Sequence, residues 1–287
     1  MDSSAHKTHD PAEFLAAYDD LLARWPAGTR HDTVATDFGS TRVNSCGPHD
    51  GPPLVLLPGG RATSASWFAN AAALSRVFRV HAVDLIGDAG CSVPDPSRPV
   101  RTVEDLTAWL DAVLDGLGID RAALTGHSYG GWIALHYALH APGRVTRLAL
   151  LDPTQCFAGY RAGYLLHALP MTLRPAAHRV RAFLEWETGR VPPASWLRLQ
   201  EATAGFPTAR PVTGPRPSAA ALRSLRTRVL LLVAANSRTH DPHRVAARAA
   251  ELLPDVETHV LPGVSHHALP YTDPAVTDRR LLEFLSG

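Results

Sequence analysis

From residue 53 onward, short runs dominated by valine, leucine and isoleucine alternate with stretches of helical spacing. The runs are "PLVLLP" from Pro53, "FRVHAVDL" from Phe78, "AALTGHS" from Ala122, "TRLALLDP" from Thr146, "TRVLLLVAA" from Thr227 and "VETHVLPG" from Val256. A half-solvated strand alternates apolar and polar residues. Continuous apolar runs of this length instead fit strands buried on both faces, as in a parallel sheet. Helical segments such as "VEDLTAWLDAVLDGLG", entered through Thr102 and Asp105 in capping-box spacing, lie between them. Repeated strand–helix order predicts an α/β fold with a doubly wound, mostly parallel sheet of about eight strands.

The N-terminal part reads differently. Residues 1–9 are polar and are expected to form a disordered tail. Asp10-Pro11-Ala12-Glu13 has the pattern of a helix start, and that helix should stop at Pro26. "DTVATDF" and "STRVNSCG", separated at Gly39, predict an antiparallel hairpin.

The alternation breaks between Asp152 and Arg226. A stretch of about 70 residues is far longer than an ordinary connection between core elements. We therefore divide the chain into a core of residues 10–153 and 227–287 and an inserted helical lid of residues 154–226. The lid carries Phe157, Tyr160, Tyr164, Phe183, Trp186, Trp196 and Phe206. Most of these should form its own small core, and two or three could face a substrate pocket, since such pockets are mostly apolar.

Chemistry concentrates at "GHSYGG". Gly126 and Gly130 flank Ser128 where a buried strand turns into an amphipathic helix. Gly-x-Ser-x-Gly in that setting is a nucleophile elbow, whose tight turn tolerates only small flanking residues and lifts the hydroxyl above the strand ends. The N–H of Tyr129 opens the helix, where unpaired donors and partial positive charge suit an oxyanion. Pro58-Gly59-Gly60 ends an earlier strand, and Gly60 is the candidate for a second donor. A base should follow the last strand. "PGVSHH" offers His266, with His267 as a neighbour that packs or hydrogen-bonds. The orienting acid is Asp241 in "NSRTHDP" on this reading, with Asp152 at the end of "LALLDP" as the alternative. Asp241 could equally cap the helix that begins at Pro242.

These motifs resemble the α/β-hydrolase superfamily. The likeness runs from about residue 40 to 285 and rests on "LLPGG", "VDLIGDAGCS", "GHSYGG", "LLDP", "HDP" and "PGVSHH". The order Ser128, Asp241, His266 is the family's order of nucleophile, acid and base. There are two departures. Pro58-Gly59 stands where many relatives have His-Gly, and Ser237 stands where many have the acid. A serine at the elbow argues against dehalogenase and epoxide-hydrolase chemistry, which uses aspartate there.

The resemblance implies a serine hydrolase acting on an ester, thioester or lactone of a small to medium apolar compound, with no metal or organic cofactor. Two alternatives remain: cofactor-free lyase, cyclase or perhydrolase chemistry, and a non-catalytic ligand-binding protein. Composition narrows the field further. Lys7 is the only lysine, which excludes Walker-type phosphate loops and Schiff-base enzymes. A net charge of +1 gives no reason to expect nucleic acid or a membrane as partner. Cys46, Cys91 and Cys156 form no paired spacing, and the start lacks a signal-peptide core, so a cytoplasmic protein is expected. Oligomeric state is not legible.

Overall fold

The computed structural model describes residues 10–287, so the tail expected at residues 1–9 lies outside the described residues. The helix α1 (Pro11–Leu22) starts where Asp10 accepts the N–H groups of Ala12 and Glu13. Strands β1 (Arg30–Thr36) and β2 (Gly39–Cys46) form the expected antiparallel hairpin. There follow β3 (Pro53–Leu57), a short α2 (Ala71–Leu74), β4 (Arg79–Val83), the two-residue β5 (Val93–Pro94), α3 (Val103–Gly116), β6 (Ala122–His127), α4 (Tyr129–His140) and β7 (Val145–Leu151). The inserted segment contributes α5 (Ala162–Leu173), α6 (Ala177–Thr188), α7 (Ala194–Ala202) and α8 (Ala219–Ser224). Strand β8 (Val229–Ala234), α9 (Pro242–Leu252), β9 (Val256–Leu261) and α10 (Pro274–Ser286) complete the chain.

The sheet runs β1-β2-β4-β3-β6-β7-β8-β9, with β5 added beside β2. Pairing is parallel from β4 through β9 and antiparallel around β2. Strands β6 and β8 are buried at every position, which is why their sequences do not alternate. One apolar layer packs α3, α4 and α9 against the sheet, and the other packs α1, α2 and α10. The inserted segment joins this second layer through Val180, Phe183, Leu184, Trp196, Leu197 and Leu199. Its aromatics divide: Phe157, Phe183 and Trp196 are buried, whereas Tyr160 is 38% exposed. Among the described residues no helix is long and apolar enough to cross a membrane.

The second layer contains a charged group that weakens it. Asp278 on α10 lies against Asn70, whose Nδ2 donates to it at 2.7 Å. Burial raises the Asp278 carboxyl to about 6, against the pull of that hydrogen bond. Its folded pKa therefore exceeds the unfolded value of about 3.9, so the folded state holds the proton more tightly. The contribution of Asp278 to stability must therefore fall as pH rises from about 4 to about 6. The Asp278→Asn variant should lack this fall and be more stable at pH 8 by about 1 kcal/mol after allowance for screening. Its amide would also reach toward Asn70 Oδ1, which is buried without a partner. Thermal melts of both proteins at pH 4.5 and 8 check this.

Candidate active site

Ser128 joins β6 to α4 with φ 53° and ψ −115°, in a region that non-glycine residues seldom occupy. The turn around it closes because its flanks lack Cβ atoms. A Cβ on Gly126 would come within 2.4 Å of the Gly130 carbonyl oxygen, and one on Gly130 within 2.3 Å of that of Leu57. Ser128 is fixed to the neighbouring strand as well: its N–H donates to the Leu151 carbonyl at 3.0 Å, and its carbonyl accepts the Thr154 N–H at 3.3 Å. The elbow is thus held by the segment that immediately follows β7.

That segment carries Asp152, fully buried and at φ 44°. The structure brings together Ser128, His266 and Asp152. His266 Nε2 lies 2.8 Å from Ser128 Oγ, and His266 Nδ1 lies 2.6 Å from Asp152 Oδ2. The expected position of Asp241 in this group is therefore corrected. Asp241 Oδ1 accepts the Arg244 N–H at 3.1 Å as the N-cap of α9, and Oδ2 pairs with Arg161 at 3.5 Å on the surface. The carboxylate is committed to starting the helix, and about half of its side chain is exposed. Asp152 was the alternative, and it stands one strand closer to the elbow.

Asp152 is saturated with donors. Ala234 N–H and His240 Nε2 reach Oδ1, each at 3.0 Å. Ser237 Oγ donates to Oδ2 at 2.9 Å beside the His266 contact. Burial opposes its charge, but His240 and His266 outweigh that and hold Asp152 far below the usual carboxylate range. Ser237 thus donates to the carboxylate that faces His266. His240 is 1% exposed and shares the same carboxylate.

The loop bearing His266 is fixed from two sides. His127 Nε2 donates to the His266 carbonyl at 2.9 Å, and burial followed by the nearby His266 imidazole pushes His127 down to about 3, leaving it neutral. From the inserted segment, Glu187 enters fully buried. Its Oε1 accepts the His266 N–H at 3.1 Å and the Arg238 N–H at 3.5 Å, and its Oε2 accepts the His267 N–H at 3.1 Å. Among the described residues no salt bridge involves it. His267 packs as a neighbour: its Nε2 meets Tyr164 Oη at 3.2 Å, and burial holds it well below its ordinary pKa. Sequence reasoning did not single out Glu187 or assign His240 a part. A glutamate in a surface-like helix and a lone histidine in a loop carry no local signal.

The loop after β3 lies against the elbow. A Cβ on Gly59 would sit 3.4 Å from that of Ser128, and one on Gly60 would sit 3.6 Å from that of Tyr129. No hydrogen bond among the described residues consumes the N–H of Gly60 or of Tyr129. Arg61, next along, is pinned through its N–H to Asp88 at 2.8 Å and through its guanidinium to the Thr203 carbonyl at 2.6 Å. Tyr129 Oη donates to the Val212 carbonyl at 2.9 Å, tying the elbow to the stretch between α7 and α8.

A strained serine where a strand turns into a helix, an imidazole in reach of it and a buried carboxylate behind the imidazole define a hydrolase of the nucleophile-elbow class. The chain belongs to the alpha/beta hydrolase family, whose model matches residues 54–280. Carboxylesterase YbfK of Bacillus subtilis (strain 168) is 31% identical over 283 residues, spanning 96% of this chain and 94% of that protein. The crystal structure of naproxen esterase (carboxylesterase NP) from Bacillus subtilis superposes with a TM-score of 0.89 at 31% identity, covering 95% of this chain and 97% of that one. The structure of carboxylesterase CesB (YbfK) from the same organism gives a TM-score of 0.87 at 30% identity, covering 96% and 98%.

Proposed function

We propose that this protein is a serine carboxylesterase that cleaves carboxylic esters bearing an apolar acyl or alcohol group. The observation that carries the reading is the unbroken hydrogen-bonded run from Ser128 Oγ through His266 to Asp152. His266 Nε2 takes the hydroxyl proton as Ser128 attacks the ester carbonyl. Asp152 fixes the tautomer in which Nδ1 carries hydrogen and stabilises the imidazolium that forms. The N–H groups of Gly60 and Tyr129 receive the tetrahedral oxyanion, each such donor contributing roughly 3 kcal/mol to lowering the barrier. His266 returns its proton to the departing alcohol. Water then attacks the acyl-enzyme by the same steps in reverse.

The likeness to two carboxylesterases over nearly the whole chain supports ester cleavage. An aromatic shelf supports an apolar substrate: Tyr164 stands edge-on to His266 with ring centroids 6.5 Å apart and stacks on Tyr160. Residues 154–226 act as the lid that brings this shelf over the triad. Three unpaired cysteines fit a cytoplasmic setting.

Treatment with a fluorophosphonate followed by peptide mapping tests the proposal. The expected result is one label per chain on Ser128, with parallel loss of turnover on a panel of p-nitrophenyl esters of graded acyl length. Labelling at another residue, or full labelling of a protein that turns over no ester in the panel, would refute it.

A further inference from the structure

Helix α5 buries none of its residues, although it is mostly apolar. Leu165, Leu166, Leu169 and Leu173 are 52%, 68%, 47% and 70% exposed. Successive helical residues turn by about 100° and rise about 1.5 Å, so these leucines fall in one stripe about 100° wide and, from Leu165 to Leu173, roughly 12 Å long. The opposite face carries Tyr164, Ala168 and Met171, which pack onto the second apolar layer. The helix is therefore seated by one face and presents a second apolar face outward. A contiguous patch of this kind marks an interaction surface.

Charge selects the partner. No carboxylate occurs between Asp152 and Glu185, whereas Arg161, Arg174, Arg179 and Arg181 lie in that interval. Two of these arginines bracket the leucine stripe directly: Arg161 precedes α5 and Arg174 follows it. Arg161 is half-exposed and shares a loose pair with Asp241, and Arg174 has no ion-pair partner among the described residues. A second copy docked about a two-fold axis would set these cationic ends against their own equivalents. The arrangement instead matches a surface that is apolar inside and anionic at its boundary, which is what a bilayer rich in acidic headgroups offers. The whole-chain charge of +1 hides this because the acids lie elsewhere in the sequence.

We propose that the outer face of α5 docks this protein on anionic lipid surfaces, with the leucines entering the headgroup–acyl boundary and the flanking arginines meeting the headgroups. Tyr164 on the inner face of the same helix hydrogen-bonds His267 beside the triad. Docking therefore sets the site just below the lipid boundary. The inference is independent of the esterase reading, because adsorption requires no turnover.

Co-sedimentation of the full chain with phosphatidylcholine vesicles, with and without 30% phosphatidylglycerol, tests it. Binding is expected to the mixed vesicles, at least tenfold weaker to phosphatidylcholine alone, and to fall as salt is raised. The double variant Leu166→Glu/Leu173→Glu should bind at least tenfold more weakly while its circular-dichroism melt stays that of the parent, since both side chains are exposed. The Arg174→Gln variant should lose part of the preference for phosphatidylglycerol. Absence of binding to mixed vesicles, equal binding by the leucine double variant, or a lipid-free dimer that this double variant dissociates would each overturn the proposal. The last result would assign the face to a second copy.

Discussion

Asp152→Asn is expected to lower kcat on a p-nitrophenyl ester about ten-thousandfold, and Asp241→Asn to change it less than about threefold. The size of the first effect follows from which donors surround the carboxylate. An asparagine must replace one oxygen by NH2. At the Oδ1 position that NH2 would face the Ala234 N–H, which cannot become an acceptor. At the Oδ2 position it would face the Ser237 hydroxyl, which can rotate to accept, and His266 Nδ1, which can accept in its other tautomer. The amide therefore settles with NH2 toward His266 and forces hydrogen onto Nε2. That nitrogen then donates to Ser128 instead of taking its proton, so the base is lost with little movement of heavy atoms. Asp241→Asn has no such consequence. Asparagine caps a helix as well as aspartate does, and only a half-exposed ion pair with Arg161 is removed. Steady-state kinetics on the two variants separate the two acids. Comparable losses in both would show that Asp241 reaches the reaction after all.

This contrast also shows how far the sequence could be read. The parallel strands were legible because burial on both faces suppresses alternation, as "VLLLVA" in β8 illustrates. The elbow was legible because a turn that excludes Cβ atoms leaves a glycine on each side of Ser128. The imidazole that meets Ser128 could be placed from its position after the last strand. The carboxylate that meets His266 could not be placed in the same way, because the ends of β7 and β8 are adjacent in space and both are followed by a carboxylate. Chain order favoured Asp241, and nothing local revealed that its side chain is held by the first turn of α9. Glu187 and His240 were harder still. Their contacts with His266 and Asp152 span 79 and 88 residues, and each depends on how the insertion and the β8 loop fold over the triad. A helix-periodic pattern identifies a buried face but not which backbone amides a buried carboxylate will meet.

That carboxylate carries the second large effect. Glu187→Ala is expected to lower kcat about a hundredfold, to change KM less than about threefold, and to cost about 3 kcal/mol of stability. Both oxygens of Glu187 are spent on the backbone of the base: Oε1 on the His266 N–H and Oε2 on the His267 N–H. The N–H groups of His266 (buried) and of His267 and Arg238 (part-buried) lose this carboxylate acceptor on truncation, and each bond to a charged group is worth about 1.5–3 kcal/mol before the recovered solvation of the carboxylate is subtracted. Without the clamp the loop can shift. A displacement of about 1 Å at the imidazole suffices for a hundredfold loss, because attack by Ser128 depends on its alignment with Nε2. Glu187→Gln should fall between parent and Ala. Its amide can keep an oxygen toward His266 only by turning NH2 toward the His267 N–H, donor against donor, so a loss of about tenfold is expected. Kinetics and the rate of fluorophosphonate labelling, measured side by side, distinguish this from a general loss of folded protein. A positioning role slows labelling per folded molecule, whereas mere destabilisation lowers the labelled fraction and leaves the rate unchanged. Parent-like labelling rates in folded Glu187→Ala would mean that the base keeps its place without the inserted helix.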